Sequence, residues 1–278
     1  MAISAAEVKK LRDITGAGMM ECKKALTEAN GDMAEAEKIL KEMGLAAVAK
    51  RQDRATENGR VFAATNGKKA CLVELTCETD FVAKNEQFKA LGEDIAKVVL
   101  AKEYTDVAPE LVDMVNGLIA TIKENMSCKK VQLIDIPANG HAATYVHGEG
   151  SVAVVVVFKA DNASLFENEN VATFCHDCAL HVAAYKPQFL NSSVVSKEFE
   201  DAQLEIFKAQ VEQLDKPEKV KEGIVRGKLS KLYKEICFVD QAFVKDDSMS
   251  VSSKMAEVAK SAGGKLEIAS CDYFVAGV

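Results

Sequence analysis

The stretch Cys71-Leu72-Val73-Glu74-Leu75-Thr76-Cys77-Glu78-Thr79-Asp80-Phe81-Val82-Ala83-Lys84-Asn85-Glu86-Gln87-Phe88 decides how the chain folds. Cys71, Val73, Leu75 and Cys77 alternate with Leu72, Glu74 and Thr76, the period-two pattern of a half-buried strand. Beyond it Phe88, Leu91, Ile95, Val98 and Val99 recur at the spacing of one helix face. Thr79 and Asp80 are both suited to cap that helix, because a side-chain oxygen there satisfies an orphan amide of the first turn. Phe81 then sits at a strand-to-helix junction beside a carboxylate. In a helix that starts early, Phe81 and Phe88 lie one heptad apart on one face, and core filling is the role the residues alone favour for Phe81.

Working outward, Val61 to Thr65, Asn66-Gly67 and Lys69 to Thr76 read as a hairpin, because Asn-Gly tolerates the positive φ angles of a two-residue turn. After the long helix, Pro109 opens another that carries Leu111, Val115, Leu118, Ile119 and Ile122, and Lys130 to Ile136 reads as a strand. Ala142 to His147 and Ser151 to Phe158 form a second hairpin around Gly148-Glu149-Gly150. Strands then helices, twice over, predict an α+β fold with two related halves. His147 lies at the mouth of the second turn, where a histidine is ordinarily solvated. No Ser, Cys or carboxylate partner is placed near it by the sequence, so no catalytic role is expected.

From Val194 to Ile236 the pattern changes. Leu204, Phe207, Val211 and Leu214 step 3-4-3, and Val225, Leu229, Leu232 and Ile236 step 4-3-4, with Asp215-Lys216-Pro217 between them. These seams predict an antiparallel helical hairpin with arms of roughly 30 Å. Gln241 to Val244, a helix near Val251 to Ala262 and a strand from Lys265 to Val275 close the chain.

At the N-terminus, Ser4 and Glu7 form a capping-box pattern ahead of Val8, Leu11 and Ile14. A second helix runs from Met19 to Ala29 and stops at Asn30-Gly31. A third starts at Asp32, carries Met33, Ala36, Ile39, Leu40 and Met43, and is expected to end at Gly44. Met19 shares a face with Cys22 and Leu26 and should be buried, whereas Met20 points roughly 100° away and should stay outside, flanked by Arg12 and Lys23. Gly16-x-Gly18 lacks the preceding strand and third glycine of a phosphate loop. The organisation expected is a helical bundle over residues 1–45, a polar linker over 46–58, and core halves over 59–140 and 141–278, the second holding the hairpin at 194–236.

The 278 residues are 48% apolar, ample for a core, and the net charge of -7 argues against a nucleic-acid partner. Met1-Ala2-Ile3-Ser4 lacks the basic run and apolar core of a signal peptide, and Val152 to Phe158, the longest apolar run, is too short to span a membrane. A soluble cytoplasmic chain without a membrane partner is expected. No Gly-x4-Gly-Lys-Ser/Thr loop occurs, so no bound nucleotide or other cofactor is expected. The eight cysteines read as reduced, buried thiols. Cys175-His176-Asp177-Cys178 with His181 is the one cluster that suggests a thiol or zinc enzyme. It lacks a second Cys-x-x-Cys for a structural zinc site and a preceding strand for a thioredoxin-like pair, so packing is the expected role.

Thr79-Asp80-Phe81-Val82-Ala83-Lys84 resembles the Thr-Asp-Phe-Val signature of the bacterial translation elongation factor Ts family. Independently, Arg12 with Thr15-Gly16-Ala17-Gly18-Met19-Met20-Glu21-Cys22-Lys23-Lys24-Ala25-Leu26 is similar to that family's N-terminal motif. Tyr145-Val146-His147-Gly148 and His181-Val182-Ala183-Ala184-Tyr185-Lys186-Pro187 fall in the family's order. The resemblance implies a ubiquitin-associated-like N-terminal module and a protruding coiled-coil hairpin. It also implies a non-enzymatic guanine-nucleotide exchange factor that binds elongation factor Tu with GDP, disrupts its Mg²⁺ and phosphate site, and stays on the nucleotide-free partner until GTP displaces it. Carried onto this sequence, the partner-binding residues are Arg12, Met19, Met20, Lys23, Thr79, Asp80, Phe81, Val82 and His147, with Phe81 as a wedge rather than a core residue. A homodimer through the hairpin, or a two-to-two complex with factor Tu, is compatible with the resemblance. An adaptor that docks through the N-terminal bundle alone is the other non-enzymatic reading. Some family members continue past the last strand into a further C-terminal helical module; this sequence ends at Val278, and the resemblance does not carry that module's contacts onto it.

Overall fold

The computed structural model describes residues 3–277 and, within them, every side chain but those of residues 45, 47 and 49. Met1, Ala2 and Val278, read above as the ends of the chain, lie outside the described residues. In chain order come α1 (Ala5–Thr15), α2 (Met19–Glu28) and α3 (Met33–Ala49), then β1 (Asn58–Thr65), β2 (Lys69–Cys77), α4 (Asp80–Ala83), α5 (Glu86–Lys102), α6 (Pro109–Ile122) and β3 (Met126–Asp135). They are followed by β4 (Gly140–His147), β5 (Val152–Ala160), α7 (Glu169–Tyr185), α8 (Lys197–Glu212), α9 (Glu218–Ile236), β6 (Ala242–Phe243), β7 (Asp246–Ser250), α10 (Val251–Ser261) and β8 (Leu266–Val275).

Two antiparallel three-stranded sheets, ordered β1-β2-β3 and β4-β5-β8, form the core. Each is a hairpin whose second strand takes a later strand on its other edge. Their inner faces meet through Val61, Ala70 and Leu72 on one side and Ala153, Val155 and Val157 on the other. The outer face of the first sheet is covered by α5 and α6, and that of the second by α7 and α10.

Burial of β2 differs from the half-buried strand that its alternation predicts. Both faces are covered, Cys71, Val73, Leu75 and Cys77 by helices and Leu72 by the other sheet. Glu74 is consequently 0% exposed. Its carboxylate lies 3.4 Å from Lys129 and 3.9 Å from Lys130 and accepts the Gly277 amide at 3.2 Å. A charge at that depth is retained only with such partners.

In the first hairpin only Gly67 takes a positive φ, 83°. Asn66 stays in the pairing region instead, where Oδ1 accepts the amides of Lys68 and Lys69 and its own amide donates to the Lys69 carbonyl. The turn is therefore centred on Gly67-Lys68, one residue later than Asn-Gly.

The bundle also departs from expectation, because α3 does not stop at Gly44 and runs to Ala49. A Cβ at Gly44 would come within 2.9 Å of the Ala120 Cβ, so the missing side chain permits close packing of α3 on α6 rather than ending the helix. Val48, inside the expected linker, is buried with the α5–α6 core. The bundle is thus docked, with Val8, Leu11, Cys22, Ala25, Leu26 and Ala36 as its own core.

The helical hairpin stands as α8 and α9, 16 and 19 residues long, about 24 and 28 Å at 1.5 Å per residue. Val211, Val225 and Ile236 are buried in its seam, whereas Leu214, expected there, is 43% exposed because α8 ends at Glu212. Among the described residues no helix is long and apolar enough to cross a membrane.

Candidate functional site

The chain leaves β2 at Cys77 and turns through Glu78 and Thr79 into the single turn of α4. Thr79 is the N-cap, with φ -123° and ψ 156°, and its Oγ1 accepts the Val82 amide at 3.3 Å. Asp80 is the first helical residue rather than the cap, and its carboxylate takes the Lys84 ammonium at 2.9 Å. Both groups of that pair are about half exposed, so it contributes little to the fold. The bond from Lys84 holds the Asp80 carboxyl below the usual carboxylate range.

Long-range bonds fix this exit from the strand. Glu124, 45 residues away, accepts from Thr79 twice, from its amide at 3.1 Å and from its hydroxyl at 2.8 Å. Reciprocally, the Glu78 carboxylate accepts the Asn125 amide at 2.6 Å and pairs with Arg54 at 3.3 Å. Asn58 donates to the Glu78 carbonyl at 2.8 Å, and the Asn125 side chain donates to the Arg54 carbonyl at 2.6 Å. Burial, followed by the charge of Glu124, pushes the Cys77 thiol up to about 12, so that thiol stays protonated.

On this turn Val82 and Ala83 point into the core beside Phe88, at 7% and 8% exposure, while Phe81 is 81% exposed. The stacking of Phe81 on Phe88 expected from their spacing does not occur. Asn85 caps a separate helix, α5, by accepting the Gln87 amide at 2.8 Å, and the break between α4 and α5 takes the two rings out of register. A large aromatic ring so exposed on a buried and hydrogen-bonded base is a feature of contact surfaces rather than of cores.

The second expected contact residue, His147, ends β4 and is exposed, with Nδ1 3.0 Å from the Tyr145 hydroxyl. The turn after it takes positive φ at Gly148, Glu149 and Gly150. A Cβ at Gly150 would meet the Arg60 side chain at 3.1 Å, so glycine lets the turn lie against β1. α4 packs on β1 as well, and Arg60 reaches Glu149 at 3.4 Å. The Lys84 ammonium is held above its ordinary value by Asp80 first and by Glu149 more weakly. The structure thus brings the Thr79–Val82 turn and the turn after His147 onto one strand.

The N-terminal residues form a separate patch. Met20 is 76% exposed, and Arg12 and Lys23 are exposed. Met19, expected in the bundle core, is 48% exposed. It is the first residue of α2, and helical side chains lean toward the N-terminus, so its side chain overhangs the helix end and the buried stripe begins at Cys22. This patch connects to the α4 region through the turn after α6, where Lys123 donates to Glu21 of α2 at 2.7 Å and the next two residues hold Thr79 and Glu78. Glu124 and Asn125 carry no signal in the sequence, since polar side chains paired with Thr79 and Glu78 from so far along the chain leave no periodic trace.

Cys175 and Cys178 are both buried in the α7 core with Phe174 and Val182. Burial pushes the Cys175 thiol up to about 12. His181 uses both ring nitrogens: Nε2–H donates to Gln241 Oε1 at 2.9 Å, and Nδ1 accepts the Val244 amide at 3.2 Å. The Gln241 amide is itself oriented by donating to the Glu235 carbonyl, which selects this neutral tautomer. Among the described residues no group of three or more His, Cys, Asp or Glu could hold a metal ion. Burial lowers the His181 pKa from 6.5, so the unfolded chain takes up the proton first. Stability supported by neutral His181 is therefore full above that value and is lost as pH falls below it. Denaturant titrations at about pH 7.5 and about pH 5.5 should show this loss, and a smaller one in His181→Asn; an equal loss in both proteins contradicts the assignment.

A family model described as Elongation factor TS matches residues 78–277. The chain belongs to the elongation factor Ts family. It is 50% identical over 278 residues to Elongation factor Ts of Treponema denticola, covering 100% of this chain and 99% of that one. Elongation factor Ts of Treponema pallidum strain Nichols is 46% identical with 100% of both chains covered, and that of Clostridium acetobutylicum is 39% identical with 99% and 92% covered. The family model begins at residue 78, so similarity over the N-terminal bundle rests on the full-length relatives. Membership supports a role in translation elongation as a nucleotide exchange factor rather than as a catalyst of covalent chemistry.

Proposed function

We infer that the chain binds elongation factor Tu carrying GDP and uses Phe81 as a wedge that loosens the partner's Mg²⁺ and phosphate site. The observation that carries this reading is the 81% exposure of Phe81 on a turn whose next two residues are buried. A ring presented without the cost of ordering a loop can spend its contact energy on the partner. Losing Mg²⁺ leaves the GDP phosphates poorly neutralised, and GDP departs. Thr79, Asp80 and Val82 hold and flank the ring, and His147 extends the contact from the neighbouring turn. Arg12, Met19, Met20 and Lys23 form a second contact that tethers the N-terminal bundle to the partner. The protein then stays on nucleotide-free factor Tu, in the cytoplasm, until GTP displaces it. The exposed hairpin residues Ile206, Leu214 and Val220 are compatible with a homodimer or a two-to-two complex in the same cycle.

Linkage supplies the test. If the protein lowers the affinity of factor Tu for GDP by some factor, GDP lowers the affinity of factor Tu for the protein by the same factor. Gel filtration should give a stable complex after GDP is stripped with a chelator, and addition of GDP and Mg²⁺ should dissolve it. A complex indifferent to nucleotide would overturn the reading.

The N-terminal patch gives a separate expectation. Met20→Ala and Arg12→Ala should each weaken partner binding with stability changed by less than about 0.5 kcal/mol, as is usual for exposed positions. Calorimetric titration with nucleotide-free factor Tu, alongside thermal melts, measures both quantities. Unchanged affinity in folded variants would remove the patch from the interface.

A further inference from the structure

We propose that Glu124 is the positioning residue for the exchange wedge, holding Phe81 in its projecting pose through Thr79. The proposal rests on the wedge reading above and assigns a task to a residue outside the expected contact set. Three observations carry it. First, both oxygens of the Glu124 carboxylate are committed to one residue, accepting the Thr79 amide at 3.1 Å and the Thr79 hydroxyl at 2.8 Å. Second, that hydroxyl also accepts the Val82 amide at 3.3 Å, so its hydrogen must point away from the helix, and Glu124 is the group that takes it. Third, α4 is only four residues long. A helix of one turn has almost no cooperative stability of its own, and its geometry is set by its cap and its buried side chains.

Glu124 therefore acts two residues from the ring. Val82 and Ala83 anchor one side of the turn in the core, and the Glu124–Thr79 clamp anchors the other. The clamp has its own fixed base, because the next residue, Asn125, donates to the Glu78 carboxylate at 2.6 Å. Bonds to a carboxylate acceptor are stronger and shorter than neutral ones. With the clamp released, the Thr79 hydroxyl is free to rotate, the cap of α4 weakens, and the ring samples directions that miss its pocket on the partner.

The conservative variant separates this role from bulk and charge. In Glu124→Gln one oxygen becomes an NH₂ group, yet both Thr79 groups facing it are donors. The hydroxyl can meet that NH₂ only as an acceptor, which turns its hydrogen away from residue 124 and replaces a charge-assisted bond with a weaker neutral one. Glu124→Gln should therefore lose function despite its near-identical size.

The experiment is a double-mutant cycle read by release of fluorescent GDP from factor Tu at saturating exchange factor, with thermal melts on every variant. Glu124→Gln and Glu124→Ala are each made alone and with Phe81→Ala. Each single Glu124 variant is expected to slow GDP release by about tenfold, since an ångström of misplacement can cost as much as a hundredfold. In the Phe81→Ala background the same substitutions should change the rate by less than about twofold, because a ring that is absent cannot be misplaced. Equal losses in both backgrounds would show general damage and overturn the proposal, as would full exchange by a folded Glu124→Gln protein. If Phe81→Ala alone exchanges at the unsubstituted rate, the wedge reading itself fails and this proposal falls with it. That outcome is visible in the single variant, before Glu124 is considered.

Discussion

Phe81→Ala is expected to slow GDP release from factor Tu at least about tenfold while the protein melts within about 2 °C of the unsubstituted chain. The two halves of this expectation have different sources. Stability should hold because the ring is 81% exposed, and removing it neither opens a cavity nor strands a polar group. Exchange should collapse because an aromatic anchor that becomes buried in a partner carries ~2 kcal/mol or more, and 1.4 kcal/mol is a factor of ten. Stopped-flow release and a thermal melt on the same preparation test both. A stable variant with full exchange would remove Phe81 from the mechanism, and a badly destabilised one would return it to the core.

Phe88→Ala should do the reverse. Phe88 is 0% exposed beneath α4, among Val73, Leu75, Val82 and Ile95. Truncation leaves a cavity that costs about 3–5 kcal/mol, a large share of the ~5–15 kcal/mol that holds a typical protein together. Denaturant titration should show the midpoint falling with the slope unchanged. Material that remains folded should keep measurable exchange, because a ring that is 0% exposed presents no surface to a partner. A loss below about 1 kcal/mol would mean that the space collapses around the missing ring and that the floor under α4 is softer than its burial indicates. Seven residues separate the two phenylalanines, and the Lys84-Asn85 break gives them opposite fates.

How far the sequence anticipates this geometry follows from the range of the interactions involved. Features set within a few residues were legible: the Ser4–Glu7 capping box, Pro109 opening α6, and the helical hairpin broken at Pro217. Features set by distant neighbours were not. Gly44 reads as a helix stop until Ala120 is placed against it. β2 reads as half-buried until a second sheet covers Leu72 and Glu74. Met19 reads as core because periodicity takes no account of where a helix begins. The same division holds at the site. Resemblance alone marks Thr79, Asp80 and Phe81 as contact residues, while the spacing of Phe81 and Phe88 points to a core role that the 81% exposure of Phe81 excludes. Glu124, which clamps Thr79, was not legible, since its pairing depends on how α6 returns to the end of β2.

On the proposed mechanism this chain opens the nucleotide site of factor Tu. The mechanism's most direct test is the rate at which preloaded fluorescent GDP leaves purified factor Tu, chased with excess unlabelled GTP, as the protein is titrated in. The predicted result is complete release of the label by protein well below the level of factor Tu, at a rate that rises with protein concentration and saturates far above the spontaneous rate only once the protein is in excess. A release rate that stays at the spontaneous value with folded, full-length protein would contradict that mechanism.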